Sequence, residues 1–136
     1  MKAFHTYLNF DGNAREAMTF YKQALGAELF LQSFKDAGTD APPGGEDRII
    51  HARLQKGNAI LMASDTMPGM PFKPGNNFSV SIDCDTDQEL DGYANALSQG
   101  GKVVMAPQDT FWNARFGMVT DKYGVGWMFN CDHAKK

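Results

Sequence analysis

The sequence predicts an α+β protein built from two βαβββ modules whose strands form curled mixed sheets. Three observations carry this. Apolar and polar residues alternate over strand-length stretches, two helical stretches each open on a capping-box pattern, and the whole order of elements occurs twice at a spacing of about half the chain. The 136 residues suit one domain spanning 1–136, with module one at about 1–66 and module two at about 77–131. Neither half is large enough to bury a good core alone, so the halves are expected to share a sheet or to pair between chains.

Residues 3–10 read as a strand with Thr6, Leu8 and Phe10 on one face and His5, Tyr7 and Asn9 on the other. Asp11-Gly12 ends it. Asn13-x-x-Glu16 has the form of a capping box, in which the Asn oxygen meets a free N–H and Glu16 reaches back. The helix runs to about Leu25, with Ala17, Phe20, Tyr21, Ala24 and Leu25 at helical spacing and Gly26 as its stop. Residues 27–34 form a second strand, and 35–47 a loop rich in Gly, Pro and Asp. In 48–55, Ile50, Ala52 and Leu54 share one face, and Ile49, His51, Arg53 and Gln55 the other. Lys56-Gly57-Asn58 turns the chain into a hairpin partner at 59–64. After a Pro- and Met-bearing loop at 65–76, which has the composition of a lid or of a plain connector, the order repeats. The repeat comprises a strand at 77–84, a capping box Thr86-x-x-Glu89, a helix to about Ser98, and strands at 102–106, 115–120 and 125–130, the last two joined at Tyr123-Gly124.

Composition excludes several classes. Lys and Arg number 13 against 16 Asp and Glu, a net charge of −3, and no basic cluster occurs, so nucleic acid is not an expected partner. The longest apolar run is the five residues 59–63, so no membrane-spanning helix is expected. The first ten residues alternate rather than forming a continuous apolar stretch, and a cytoplasmic protein is expected. Cys84 and Cys131 make neither a disulfide framework nor a zinc signature and read as free, half-buried thiols. No Ser-His-Asp order, phosphate loop or Rossmann glycine pattern is present, which disfavours a nucleotide-type methyl donor.

The helices need apolar strand faces to cover, and Thr6/Leu8/Phe10, Ile50/Ala52/Leu54 and Phe78/Val80/Ile82 supply them. The opposite faces carry His5, Tyr7, Asn9, His51, Arg53, Gln55, Ser79 and Ser81. Three strands in succession after each helix favour curling, which would turn those polar faces into cavity walls.

The doubled βαβββ order resembles the vicinal oxygen chelate superfamily, which includes glyoxalase I, bleomycin-resistance proteins and extradiol dioxygenases. The opening His5-Thr-Tyr-Leu-Asn-Phe, the helical Phe20-Tyr21 and the Leu25-Gly26 helix end are similar to the glyoxalase-type start. A narrower likeness lies in Leu54-x-x-Gly57-x-x-Ile60-x-Met62-x-Ser64-Asp65, Thr110-Phe111-Trp112, Arg115-Phe116-Gly117-x-Val119-x-Asp121-x-Tyr123-Gly124 and Trp127. These look like the PhnB-like branch, often labelled as related to demethylubiquinone methyltransferase. The resemblance implies a glyoxalase/bleomycin resistance fold, a homodimer, and a small-molecule ligand in a sheet-lined cavity. In metal-dependent members it also implies a divalent cation (Zn, Ni, Mn or Fe) acting as Lewis acid on two substrate oxygens. Residue by residue, the four ligand places fall on His5, on His51, near Asn77 or Ser79, and near Met128. Only the two imidazoles are good ligands for such ions, and zinc usually needs three or four protein ligands. His5 and His51 are therefore either metal ligands completed by water or a dimer mate, or polar residues satisfied by neighbours.

Tyr7, Arg53, Met62, Trp112, Arg115 and Phe116 are the candidate ligand-binding residues. Arg53 and Arg115 suit a carboxylate or phosphate, or pair with an acid such as Asp121. Phe111-Trp112 suits a pocket wall or a partner contact, whereas Trp127 alternates with Phe129 as core would. His133 lies in a tail expected to be solvated. The expected function is small-molecule binding without a full metal site. The alternative is a metal-dependent lyase, isomerase or dioxygenase using His5 and His51.

Overall fold

The computed structural model describes residues 1–133. The end of the expected solvated tail, Ala134, Lys135 and Lys136, lies outside the described residues. Two compact units follow one another, Met1–Lys73 and Pro74–Lys136. The first holds β1 (Thr6–Phe10), α1 (Ala14–Leu25), β2 (Glu28–Ser33), β3 (Ile49–Lys56) and β4 (Ala59–Asp65). The second holds β5 (Val80–Asp83), α2 (Asp87–Ser98), β6 (Lys102–Asp109), β7 (Ala114–Thr120) and β8 (Gly126–Asp132).

Each unit is a four-stranded mixed sheet, and the two sheets share one topology: β1-β4-β3-β2 and β5-β8-β7-β6. The first and last strands of each unit run parallel, and the other neighbours run antiparallel. The repeat in the sequence is thus a repeat of pairing order.

Helical and strand periodicities meet in each core. Ala14, Ala17, Met18 and Tyr21 form the buried stripe of α1, which packs on β2, β3 and β4. They face Leu8, Phe10, Ala52, Leu54, Leu61 and Ala63, buried strand residues of the same unit. In the second unit Leu90, Ala94 and Leu97 of α2 cover Val80, Val119, Trp127 and Phe129. Burying a Leu or Phe side chain is worth about 1.5–3 kcal/mol, so these faces fix which way each sheet turns. Cys84 and Cys131 are free and buried more completely than expected.

Three expectations are corrected. Ile49 enters the core in place of Ile50, because a bulge shifts the β2–β3 register between Gln32 and Ser33, and the residue pairing with Ser33 is Ile49. Phe78 precedes β5 and is 56% exposed, so it belongs to no core face. The first capping box does not form. The Asn13 side chain makes no cap bond, and the N–H of Ala14 is bound instead by Asp65 Oδ1 at 2.9 Å. Asp65 also accepts Gly12 N–H at 2.9 Å and Ile49 N–H at 2.8 Å. In the second box Thr86 Oγ1 accepts Glu89 N–H as expected, while Glu89 Oε1 reaches one residue beyond the N-cap and accepts Asp85 N–H.

Candidate functional site: the open sheet faces

Alternation leaves one face of each sheet without a helix. In the first unit the register aligns Tyr7 on β1, Met62 on β4, Arg53 on β3 and Phe30 on β2 across this open face. Tyr7 is 43% exposed, Arg53 is exposed and Met62 half-buried. One level along, His51 lies opposite Gln32, and Asn9 opposite Ser64. The Tyr7 phenol spans the gap, its oxygen 3.2 Å from His51 Nδ1, with the rings 5.9 Å apart. With the phenol donating, His51 keeps its proton on Nε2 and presents it as a donor. Three of the predicted residues, Tyr7, Arg53 and Met62, therefore share one patch with His51.

His5 does not join that patch. It precedes β1 and is exposed. Continuing the ladder back from the Thr6–Leu61 pair puts His5 level with Ile60 and Gln55. That is four residues, about 13 Å at strand rise, from the level of His51. Two rings so placed do not share an ion held at about 2 Å. Among the described residues, no three His, Cys, Asp or Glu side chains gather as a metal site. On this face, then, His5 and His51 do not form a shared pair of ligands.

In the second unit the open face carries Phe116, Met118, Met128 and Asn130, aligned by the β7–β8 register. Trp112 stacks edge-on against Phe116, centroids 5.6 Å apart, and Phe111 against Trp112 at 5.0 Å. The indole N–H of Trp112 donates to Asn130 Oδ1 at 3.1 Å, which anchors a side chain that remains 46% exposed. Asn130 was not singled out in the sequence, although its alternation with the core residue Phe129 marks it for this face.

Arg115 is placed elsewhere. It neighbours Phe116 on β7, so strand alternation sends it to the helix-covered side. There its guanidinium forks onto Asp91 of α2 at 2.8 and 3.2 Å, and this carboxylate raises the Arg115 pKa. Asp121, the expected partner, is buried and accepts the N–H groups of Tyr123 and Val125 and the Trp127 indole N–H. His133 is also tied down rather than solvated, with Nε2 3.3 Å from Asp87 Oδ1 and its N–H on Asn113 O. A cavity of about 290 Å³ opens beside Arg115, lined by Ala94, Val103, Ala106 and Pro107, on the covered side and away from Phe116.

Two βαβββ sheets of one topology, each with an open face, define the class: the fold is that of the glyoxalase/bleomycin resistance/dioxygenase superfamily. An enzyme of that superfamily from Burkholderia phytofirmans has this fold at 18% identity, with a TM-score of 0.66 over 96% of this chain and all of that one. Within the class, the chain belongs to the PhnB-like family described as 3-demethylubiquinone-9 3-methyltransferase, whose model matches residues 2–129. Protein YjdN of Escherichia coli is 36% identical over 91% of each chain. The crystal structure of protein PA1353 from Pseudomonas aeruginosa is 40% identical, with a TM-score of 0.86 over 98% of this chain and 100% of that one. The PhnB protein of Bacillus cereus, a putative 3-demethylubiquinone-9 3-methyltransferase by its description, is 28% identical, with a TM-score of 0.77 over 96% and 99%.

Proposed function

We propose that this protein binds a small molecule on its open sheet faces, without a resident metal. The observation that carries the reading is the patch of Tyr7, His51, Arg53 and Met62, where exposed donors flank an adaptable apolar side chain. Trp112, Phe116 and Asn130 give the second unit a comparable surface of aromatic faces and an amide.

Methyl transfer, named in the family description, is not adopted. Helix N-termini are where a cofactor phosphate or carboxylate would bind, and here Asp65 occupies one and Thr86 with Glu89 the other. Metal-dependent lyase, isomerase or dioxygenase chemistry would need His5 and His51 to act together. We propose, from the same family resemblance, that the protein is a homodimer, and sedimentation equilibrium tests this.

The test pairs elemental analysis with a fragment screen by protein-observed NMR. Binding that shifts open-face amides, in protein carrying no stoichiometric metal after reconstitution, supports the reading. Stoichiometric metal that is lost in both His5→Ala and His51→Ala overturns it in favour of metal chemistry.

A further inference from the structure

We propose that the open face of the first unit selects a monoanion, a carboxylate carried on an apolar body, with Arg53 as its charge partner and the Tyr7–His51 pair as its second anchor. The proposal rests on the small-molecule reading above and adds the chemistry of the ligand.

Arg53 stands apart from the other cations with assigned partners. Arg48 binds Asp11 and the Thr66 carbonyl, and Arg115 binds Asp91. Arg53 is exposed and forms no ion pair among the described residues. A guanidinium in the middle of a sheet face, in no ion pair with a carboxylate, keeps its fork of donors available for a planar acceptor. The neighbouring donors point to the same partner. His51 sits two residues before Arg53 on the same face of β3, about 7 Å along the strand. With the Tyr7 phenol donating to its Nδ1, His51 carries its proton on Nε2 and offers it as a donor.

Charge and shape narrow the class. Glu28 is the acid of this strand face, opposite Gln55 and one level from Arg53. One guanidinium with a carboxylate near its rim suits a single negative charge and disfavours a phosphate dianion. Phe30, directly across from Arg53 and 50% exposed, and half-buried Met62 on the other side offer apolar contact to the rest of the ligand.

The test titrates the full-length, isotope-labelled chain with matched probes: benzoate against benzamide, cyclohexanecarboxylate against its amide, and phenyl phosphate. Each carboxylate is expected to shift open-face amides of the first unit at least tenfold more tightly than its amide, and more tightly than phenyl phosphate. Arg53→Gln should bring carboxylate and amide to equal affinity, and Arg53→Lys should retain part of the preference. Arg115→Gln, on the covered side, should leave it intact. Carboxylate and amide binding equally, with Arg53→Gln changing neither, overturns the charge selection and leaves the binding face standing. A tenfold preference for phenyl phosphate overturns the monoanion assignment. No probe shifting this face at millimolar concentration overturns both the selection and the small-molecule reading.

Discussion

Asp65→Ala tests the account of the first unit most directly. The Asp65 carboxylate is 7% exposed and accepts three backbone N–H groups, from Gly12, Ala14 and Ile49, at 2.8–2.9 Å. Hydrogen bonds to charged groups are worth about 1.5–3 kcal/mol each, and a buried donor left unpaired costs about 1–3. Allowing for water reaching part of the vacated space, the expected loss is about 4 kcal/mol, a large share of the roughly 5–15 kcal/mol that holds a domain folded. Asp65→Asn keeps the Oδ1 acceptor for Gly12 and Ala14 but turns an NH2 toward the Ile49 N–H, and should cost about 2 kcal/mol. Asn13→Ala, which removes no cap bond, should cost less than about 0.5 kcal/mol, whereas Thr86→Ala should cost about 1. Urea unfolding followed by far-ultraviolet circular dichroism measures these losses, and hydrogen exchange at Gly12, Ala14 and Ile49 locates them. Trp112 and Trp127 both lie in the second unit, so their fluorescence serves as an internal reference. An Asp65→Ala loss below about 1 kcal/mol, or an Asn13→Ala loss equal to that of Thr86→Ala, would refute the assignment of the cap to Asp65.

Other perturbations have equally definite expectations. Burial is the main cause pushing the Cys84 thiol from 9.0 up to about 12, helped by Glu89. The folded state therefore holds this proton more tightly than the unfolded one, and stability present below pH 9 should fall as pH rises toward 12. Alkaline unfolding curves should show that loss in the parent and a reduced loss in Cys84→Ala, and native alkylation at pH 8 should be slow until denaturant is added. Gly101→Ala should be severely destabilising, because its Cβ would collide with the Thr120 carbonyl oxygen, a backbone atom. Gly57→Ala, at φ 59° with open space around it, should cost only about 1 kcal/mol in the same assay. Asp91→Asn breaks a partly exposed ion pair and should cost no more than about 1 kcal/mol, less in high salt.

Much of the fold was legible because it is written in short-range patterns. Alternation at Leu8/Phe10 and Ala52/Leu54 set the covered faces, and the spacing of Ala17 and Tyr21 set the buried stripe of α1. What escaped depends on residues far apart in the chain. Asn13-x-x-Glu16 has the composition of a cap, yet Asp65, 51 residues away from Ala14, reaches the helix end first. Ile49 and Ile50 exchanged roles through a bulge on a neighbouring strand, which no pattern within β3 announces. β6 continues through Pro107 to Asp109 beyond its expected end. An edge strand tolerates a residue without an N–H, and the ladder bends there at two register shifts. At the site, alternation was enough to put Tyr7, Arg53 and Met62 on one side. It also separates Arg115 from Phe116, a consequence visible only once the helix-covered side is known. The partners Asp91 of Arg115 and Asn130 of Trp112 depend on packing between elements and register between strands.

The two helix starts have different histories on the ribosome. Thr86, Glu89 and Asp85 lie within five consecutive positions, so α2 can close its first turn as soon as that stretch emerges. α1 must wait until residue 65 has been translated before a carboxylate meets its leading N–H, and the same event ties down the start of β3. The amino-terminal half therefore completes its fastening only with its last strand, whereas the later half has its helix cap in place before its last three strands are made.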